Sequence, residues 1–302
     1  MRSFFLWLSR QRLLRSWMES SSTARVLTKR FIAGNTLADE IAVSKELNAD
    51  GILVALDHLG ENVSTLDEAT ISRDHYLEAF RAIESEKLQA SASIKLTQFG
   101  LDFSREVCLS NVVPLMEQAR RLRTRVEIDM EDSSYTQRTL EIVEELHERY
   151  GCVRAVIQAY LHRTDADIER MNSLGIPVRL CKGAYRESAA VAIQDKLGVD
   201  ANYVKQMYKL LDFGVYPAIA SHDEAIVREA LRYVKDRGYP AHRFEFQMLH
   251  GIRRDLQKHV VQAGYNLRLY VPYGEAWYPY FMRRLAERPA NVWFLLRNMA
   301  RA

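Results

Sequence analysis

Ionisable and polar side chains close a series of short apolar runs in this sequence. SASIKL carries Lys95, and RVEIDMED carries Asp129 with Glu131 and Asp132. AVIQAY carries Gln158, and VRLCKGAY carries Arg179, Lys182, Gly183 and Tyr185. AIASHD carries Ser221, His222 and Asp223, FEFQML carries Glu245 and Gln247, and RLYVPYG carries Arg268 and Tyr270. Several chemistries are open to such a set. Lys95 or Lys182 could form a Schiff base with a carbonyl substrate. Asp129, Glu131, Asp132 and His222 could serve a metal-dependent lyase or hydrolase, although no H-x-H or H-E-x-x-H occurs. Each group also has a plainer role: Lys95 could snorkel to a rim, Asp129 could cap the following helix, and Gln158 could satisfy a stray backbone group. Polar groups are costly in parallel strands, which are buried on both faces, so their recurrence at strand ends predicts a shared polar cavity with every group facing one mouth.

A further constellation stands near the C-terminus. The aromatic run Trp277-Tyr278-Pro279-Tyr280 leads into Phe281-Met282-Arg283-Arg284-Leu285-Ala286-Glu287-Arg288. Arg283 and Arg284 beside Glu287 could form an exposed ion-pair ladder of little energetic worth. Alternatively the adjacent guanidinium forks form a clamp for a carboxylate.

The elements that must position these groups repeat along the chain. Apolar or β-branched runs at 51–56, 92–96, 125–128, 153–159, 177–180, 215–220, 244–248 and 267–271 alternate with amphipathic helical segments. Helices are predicted over 133–150, 164–174, 224–237 and 255–263, with a Thr164 cap and glycine stops at Gly151, Gly175, Gly238 and Gly264. Strands alternating with helices indicate parallel βαβ units, and eight of them in about 250 residues match a TIM barrel. No G-x-G and no G-x-x-x-x-G-K-[ST] occurs, which counts against a Rossmann or P-loop site. Residues 1–44 read as an N-terminal helical arm and 45–302 as one barrel domain ending in a catalytic helix.

Composition sets outer bounds. The 302 residues are 48% hydrophobic and 27% charged, with a formal net charge of +3. That charge gives no argument for a nucleic-acid partner. Cys108, Cys152 and Cys181 form no C-x-x-C and suit reduced thiols. No apolar run reaches membrane-spanning length. Residues 1–30 combine Phe4, Phe5, Leu6, Trp7 and Leu8 with Arg2, Arg10, Arg12 and Arg15, and Glu19 is the one acidic residue there. This stretch is expected to pack on the main domain, with a basic amphipathic helix at a membrane surface as the alternative.

SIKLTQFG, DMED, VIQAYL, RLCKGAYRES, ASHD, FEFQMLHG, RLYVPYG and RRLAERPANVWF follow one another in an order and spacing that resemble the proline dehydrogenase family. The stretch RFIAGNTLADEIAVSKELNADGILVALDHLGE is similar to the N-terminal part of that family. RLCKGAY together with RRLxE is the specific part of the match. Cys181 stands where an aliphatic residue is expected and packs like one.

The resemblance implies an α/β fold, a distorted (β/α)8 TIM barrel holding FAD at the C-terminal ends of its strands. It implies oxidation of L-proline to 1-pyrroline-5-carboxylate, with electrons passed to a membrane quinone or other acceptor. A separate pyrroline-5-carboxylate dehydrogenase would act downstream. The DNA-binding and aldehyde dehydrogenase regions of bifunctional relatives are not in this sequence, so one reaction step and no transcriptional role are expected. The expected location is the cytoplasm, with a peripheral position at the inner face of the membrane left open. Carried over position by position, Lys95, Arg283 and Arg284 bind the substrate carboxylate, and Asp129 positions Lys95. Arg179 lies near flavin N5. Met130, Gln158, Lys182, Gly183 and Ala184 contact FAD, as do Ser221, His222, Gln247 and Glu287. Tyr185, Leu249 and Tyr270 shape the proline pocket. A helix start at Gly183 would suit the pyrophosphate.

Overall fold

A computed structural model describes residues 31–60, 62–278, 280 and 282. Eight parallel strands close into a barrel in sequence order. They are β1 (Leu53–His58), β2 (Ala90–Ile94), β3 (Val126–Ile128), β4 (Val153–Gln158), β5 (Val178–Cys181), β6 (Ala218–Ala220), β7 (Glu245–Leu249) and β8 (Leu267–Tyr273). Closure is made by β1 against β8, in a register running from Leu53 opposite Arg268 to His58 opposite Tyr273.

A helix, α1 (Leu37–Ala49), precedes the barrel and crosses residue 44. Thr36 and Asp39 form its capping box, and Leu37, Ile41 and Leu47 pack against the main core. The helices α2 (Leu66–Ser85), α3 (Arg105–Arg121), α4 (Thr136–Tyr150), α5 (Thr164–Ser173), α6 (Lys196–Phe213), α7 (Glu224–Asp236) and α8 (Arg254–Gln262) follow β1 to β7 in turn. In α4, Leu140, Val143 and Leu146 are buried on one side, and Gly151 ends the helix at φ +69°, a backbone state that costs glycine little. The expected Thr164 cap is corrected. Thr164 is buried, and its hydroxyl donates to the carbonyl oxygens of Gln158 and Leu161 rather than accepting from the helix. Residues 1–30 of the arm and the Arg283, Arg284 and Glu287 positions lie outside the described residues.

The barrel interior is filled by charge as well as by carbon. Arg154 on β4 bonds Glu245 on β7 at 2.5 Å and Glu127 on β3 at 3.3 Å. Arg268 on β8 bonds Glu245 at 2.9 Å, and Arg179 on β5 bonds Glu127 at 2.7 Å. Gln247 donates to both carboxylates, at 3.0 Å to Glu127 and 2.7 Å to Glu245. Burial pushes Glu127 up, but Arg154, Arg179 and Arg268 overcome it and hold the carboxyl well below its ordinary range. The expectation that every polar strand residue faces one mouth is therefore corrected. Glu245, Gln247 and Arg268 belong to a packed ionic layer inside the barrel.

Candidate active site

Lys95 follows β2 directly and caps a short 3-10 turn, Leu96–Phe99. Its Nζ lies 3.4 Å from Asp57 Oδ1, 3.7 Å from Asp129 Oδ2 and 3.5 Å from Tyr270 Oη. Asp57 comes from β1, Asp129 follows β3, and Tyr270 is on β8. Four strand ends thus meet at one point of the C-terminal mouth, where barrel enzymes keep their chemistry.

Asp129 is held from three sides. Its Oδ1 accepts from Arg179 Nη1 at 2.8 Å and from Ser93 Oγ at 2.9 Å, and its Oδ2 accepts from Tyr270 Oη at 2.8 Å. Its backbone N–H donates to Ile94 O. It caps no helix. Burial acts to lower Arg179, but the Glu127 and Asp129 carboxylates win and keep the guanidinium above its ordinary value. Arg179 therefore joins the ionic layer to the mouth, with its guanidinium 5.5 Å from the centroid of the Tyr270 ring. Burial raises the Tyr270 phenol well above its usual value, and Asp129 and Asp57 add to the effect. At this position the phenol is a neutral donor.

The neighbouring strand ends supply further donors. Lys182, after β5, bonds Asp223 at 2.8 Å and also pairs with Asp200. Gly183 takes φ +110°, and a Cβ there would sit 2.2 Å from the Tyr160 ring, so a side chain is excluded. The helix start expected at Gly183 is corrected: α6 begins at Lys196, and the intervening loop is tied to Ser133 by Glu187. Ala184 is exposed and Tyr185 half-buried on this loop. Ser221 is buried after β6, and its Oγ accepts from Asp223 N–H. His222 Nε2 accepts from Leu249 N–H at 2.8 Å, which leaves the ring proton of the neutral form on Nδ1. Leu249 packs against a separate apolar cluster that includes Phe31, Ile32, Leu59, Trp277 and Tyr278. Met130 is buried beside Asp129.

Some expected residues stand apart from the constellation. Gln158 Nε2 donates to the Glu131 carbonyl, the plain structural role open to it. Gln247 bonds the interior carboxylates. Glu131 accepts from Thr97 N–H and Oγ1, and Asp132 caps Ser134. Asp129, Glu131, Asp132 and His222 do not converge, and no trio of metal-ligating side chains is found among the described residues. Lys95 and Lys182 both face carboxylates, the opposite of the apolar surroundings that activate an imine-forming lysine. A cavity of about 370 Å³ opens elsewhere, lined by Leu161, His162, Asp165, Ile193, Ala201, Asn202 and Lys205, and holds none of the Lys95 constellation.

Four residues of this network were not singled out from sequence: Asp57, Ser93, Glu127 and Arg154. A period-two signal marks two of them. Ser93 precedes Lys95 by two residues and Glu127 precedes Asp129 by two, so each pair shares the inward face of its strand. Asp57 lies one residue past the apolar run that marks β1.

Comparison with known proteins agrees with this arrangement. The model of the proline dehydrogenase family matches residues 41–297. The chain is 40% identical over 300 residues to proline dehydrogenase 2 of Bacillus subtilis (strain 168), covering 99% of each chain. It is 37% identical over 278 residues to the proline dehydrogenase of Deinococcus radiodurans, covering 90% of each. Among solved structures, proline utilization A from Bdellovibrio bacteriovorus, inactivated by N-propargylglycine, superposes with a TM-score of 0.80 at 26% identity. That match covers 87% of this chain and 32% of the other. A closed parallel barrel, a lysine held among carboxylates at its mouth, and likeness along the whole chain place this protein in the proline dehydrogenase family of oxidoreductases.

Proposed function

We propose that the enzyme oxidises L-proline to 1-pyrroline-5-carboxylate with bound FAD. Electrons then pass to a quinone-type acceptor, and the product goes to a separate pyrroline-5-carboxylate dehydrogenase. The observation that carries this reading is the convergence of Lys95, Asp129, Arg179 and Tyr270 at one barrel mouth. The Lys95 ammonium, with Arg283 and Arg284, binds the substrate carboxylate. Asp129 fixes Tyr270 and Arg179 around it. Leu249, Tyr185 and the Tyr270 ring give the methylenes apolar walls.

The donor types at the mouth suit a flavin dinucleotide. Arg179, Lys182, Ser221 and His222 stand at the ends of β5 and β6, and Gly183 keeps its segment narrow. In this reading Met130, Ala184 and Glu287 complete the cofactor contacts, while Gln158 and Gln247 stay committed to the Glu131 carbonyl and the interior carboxylates. When bound, FAD supplies the acceptor for two electrons and a proton from the ring CH–NH. Arg179 places fixed positive charge where negative charge develops. The product identifies the reaction: mass spectrometry after incubation with L-proline and an artificial acceptor gives a cyclic imine lighter by two hydrogens. Recovery of unchanged proline from flavin-loaded protein contradicts the proposal.

A further inference from the structure

We propose that Asp57 is a positioning residue that keeps the Lys95 ammonium charged and in place, so that the site still grips a carboxylate at the alkaline pH where a secondary amine gives up its proton. This rests on the reading in which Lys95 binds the carboxylate of proline.

Two demands on the site conflict. Forming an imine uses the nitrogen lone pair, so the substrate amine must be neutral, and rising pH favours that. Rising pH also threatens the lysine that holds the carboxylate, and a lysine withdrawn from water gives up its proton more readily. Lys95 has little contact with solvent, its side chain being 11% exposed. A carboxylate beside it reverses the tendency.

Asp129 is a poor candidate for that work. Its Oδ1 accepts from Arg179 and Ser93 and its Oδ2 from Tyr270, and Lys95 Nζ stays 3.7 Å away. Asp57 is differently placed. Its side chain is 1% exposed, Oδ1 lies 3.4 Å from Lys95 Nζ, and Oδ2 is buried with no hydrogen bond at all. Lys95 is the one cation ion-paired with Asp57 among the described residues. The other titratable groups around the pair, among the described residues, are Asp129 after β3, Arg179 on β5, Tyr270 and Tyr273 on β8 and Tyr76 from α2. Tyr76 gives its hydroxyl to Ser93 O, and Tyr270 gives its own to Asp129. Burial raises the Asp57 carboxyl above its ordinary value, and the Lys95 charge offsets only part of that rise. Each charge therefore favours the other: a charged lysine makes an ionised aspartate less costly, and an ionised aspartate does the same for the charged lysine.

Calorimetric titration of the FAD-loaded protein with cyclopentanecarboxylate tests this. The probe keeps a five-membered ring and an ionised carboxylate but has no amine, so only groups of the enzyme titrate between about pH 7 and about pH 10. Asp57→Asn should lose affinity faster than the wild type as pH rises. Its affinity relative to wild type should fall at least about tenfold further at the alkaline end. Lys95→Met should show no such alkaline loss. Asp57→Ser serves as the second variant if the amide does not fold. A ratio of affinities that stays constant across the range, the signature of a merely structural role, overturns the proposal. So does an alkaline loss that persists in Lys95→Met. Absence of saturable binding to wild-type protein at either pH overturns the carboxylate-site reading itself, a failure visible without any variant.

Discussion

Tyr270 Oη donates to Asp129 Oδ2 at 2.8 Å, while the Arg179 guanidinium bonds the other oxygen of the same carboxylate at 2.8 Å. One aspartate thus fixes an aromatic ring from β8 and a cation from β5 relative to Lys95. The phenol is not directed at water, as a plain core tyrosine's would be. Its polar end is already committed to Asp129, and in the proposed reading its ring is a wall of the site.

That commitment predicts substrate choice. A hydroxyl added at C4 of proline and packed against the Tyr270 ring would lose water without finding a partner, at about 1–3 kcal/mol. L-Proline should therefore be used about five- to 150-fold better than trans-4-hydroxy-L-proline. Tyr270→Ser should lose activity on proline and narrow that ratio. Steady-state kinetics on both substrates decide it: an unchanged ratio in folded variant protein removes Tyr270 from the pocket.

Arg154 has no solvent exposure and bridges Glu127 and Glu245. Arg154→Met leaves two buried carboxylates short of a partner. Breaking such a pair costs about 3–5 kcal/mol. Denaturant unfolding should show that loss. A change below about 1 kcal/mol would mean that Arg268 and Arg179 suffice to hold the layer.

Glu40 lies buried in α1, with Oε1 accepting from Ser44 Oγ and Oε2 unbonded. Burial pushes its carboxyl up to about 8. The folded state therefore holds a proton that the unfolded state releases near the ordinary carboxylate value. This contribution is complete below about pH 4.5 and is lost as pH rises to about 8. Glu40→Gln should match the wild type near the acid end and exceed it by about 4–5 kcal/mol at the alkaline end. Unfolding curves at both pH values check this, and parallel pH profiles for the two proteins would contradict it.

The strands, the order of the barrel and the family motifs were legible in the sequence because all eight apolar runs are real strands with boundaries shifted by a few residues. Lys95, Asp129, Arg179 and Tyr270 were legible because strand ends collect at one mouth. The ionic layer was harder to read. Glu245 and Arg268 look like mouth residues until strand register shows how deep each one sits, and their partners Glu127 and Arg154 carry no such signal of their own. Asp57 was missed because its partner, Lys95, is 38 residues away, and only closure of the barrel joins them. Gly183 needs no helix start. Its φ and the Tyr160 ring against it account for the glycine.

Arg284→Met should weaken use of proline while bound FAD is retained. Losing one charge-assisted fork costs about 1.5–3 kcal/mol, or roughly 10- to 150-fold in kcat/KM. Unchanged kinetics in flavin-loaded protein would reduce the arginine pair to a surface ladder.

Anaerobic mixing of the purified, flavin-loaded protein with L-proline tests the central claim most directly. The account predicts that the visible flavin absorbance bleaches in proportion to enzyme, that D-proline and pyrrolidine leave it largely intact, and that Lys95→Met slows the bleaching by at least about tenfold. Flavin absorbance that L-proline does not change, or that pyrrolidine bleaches equally well, would contradict it.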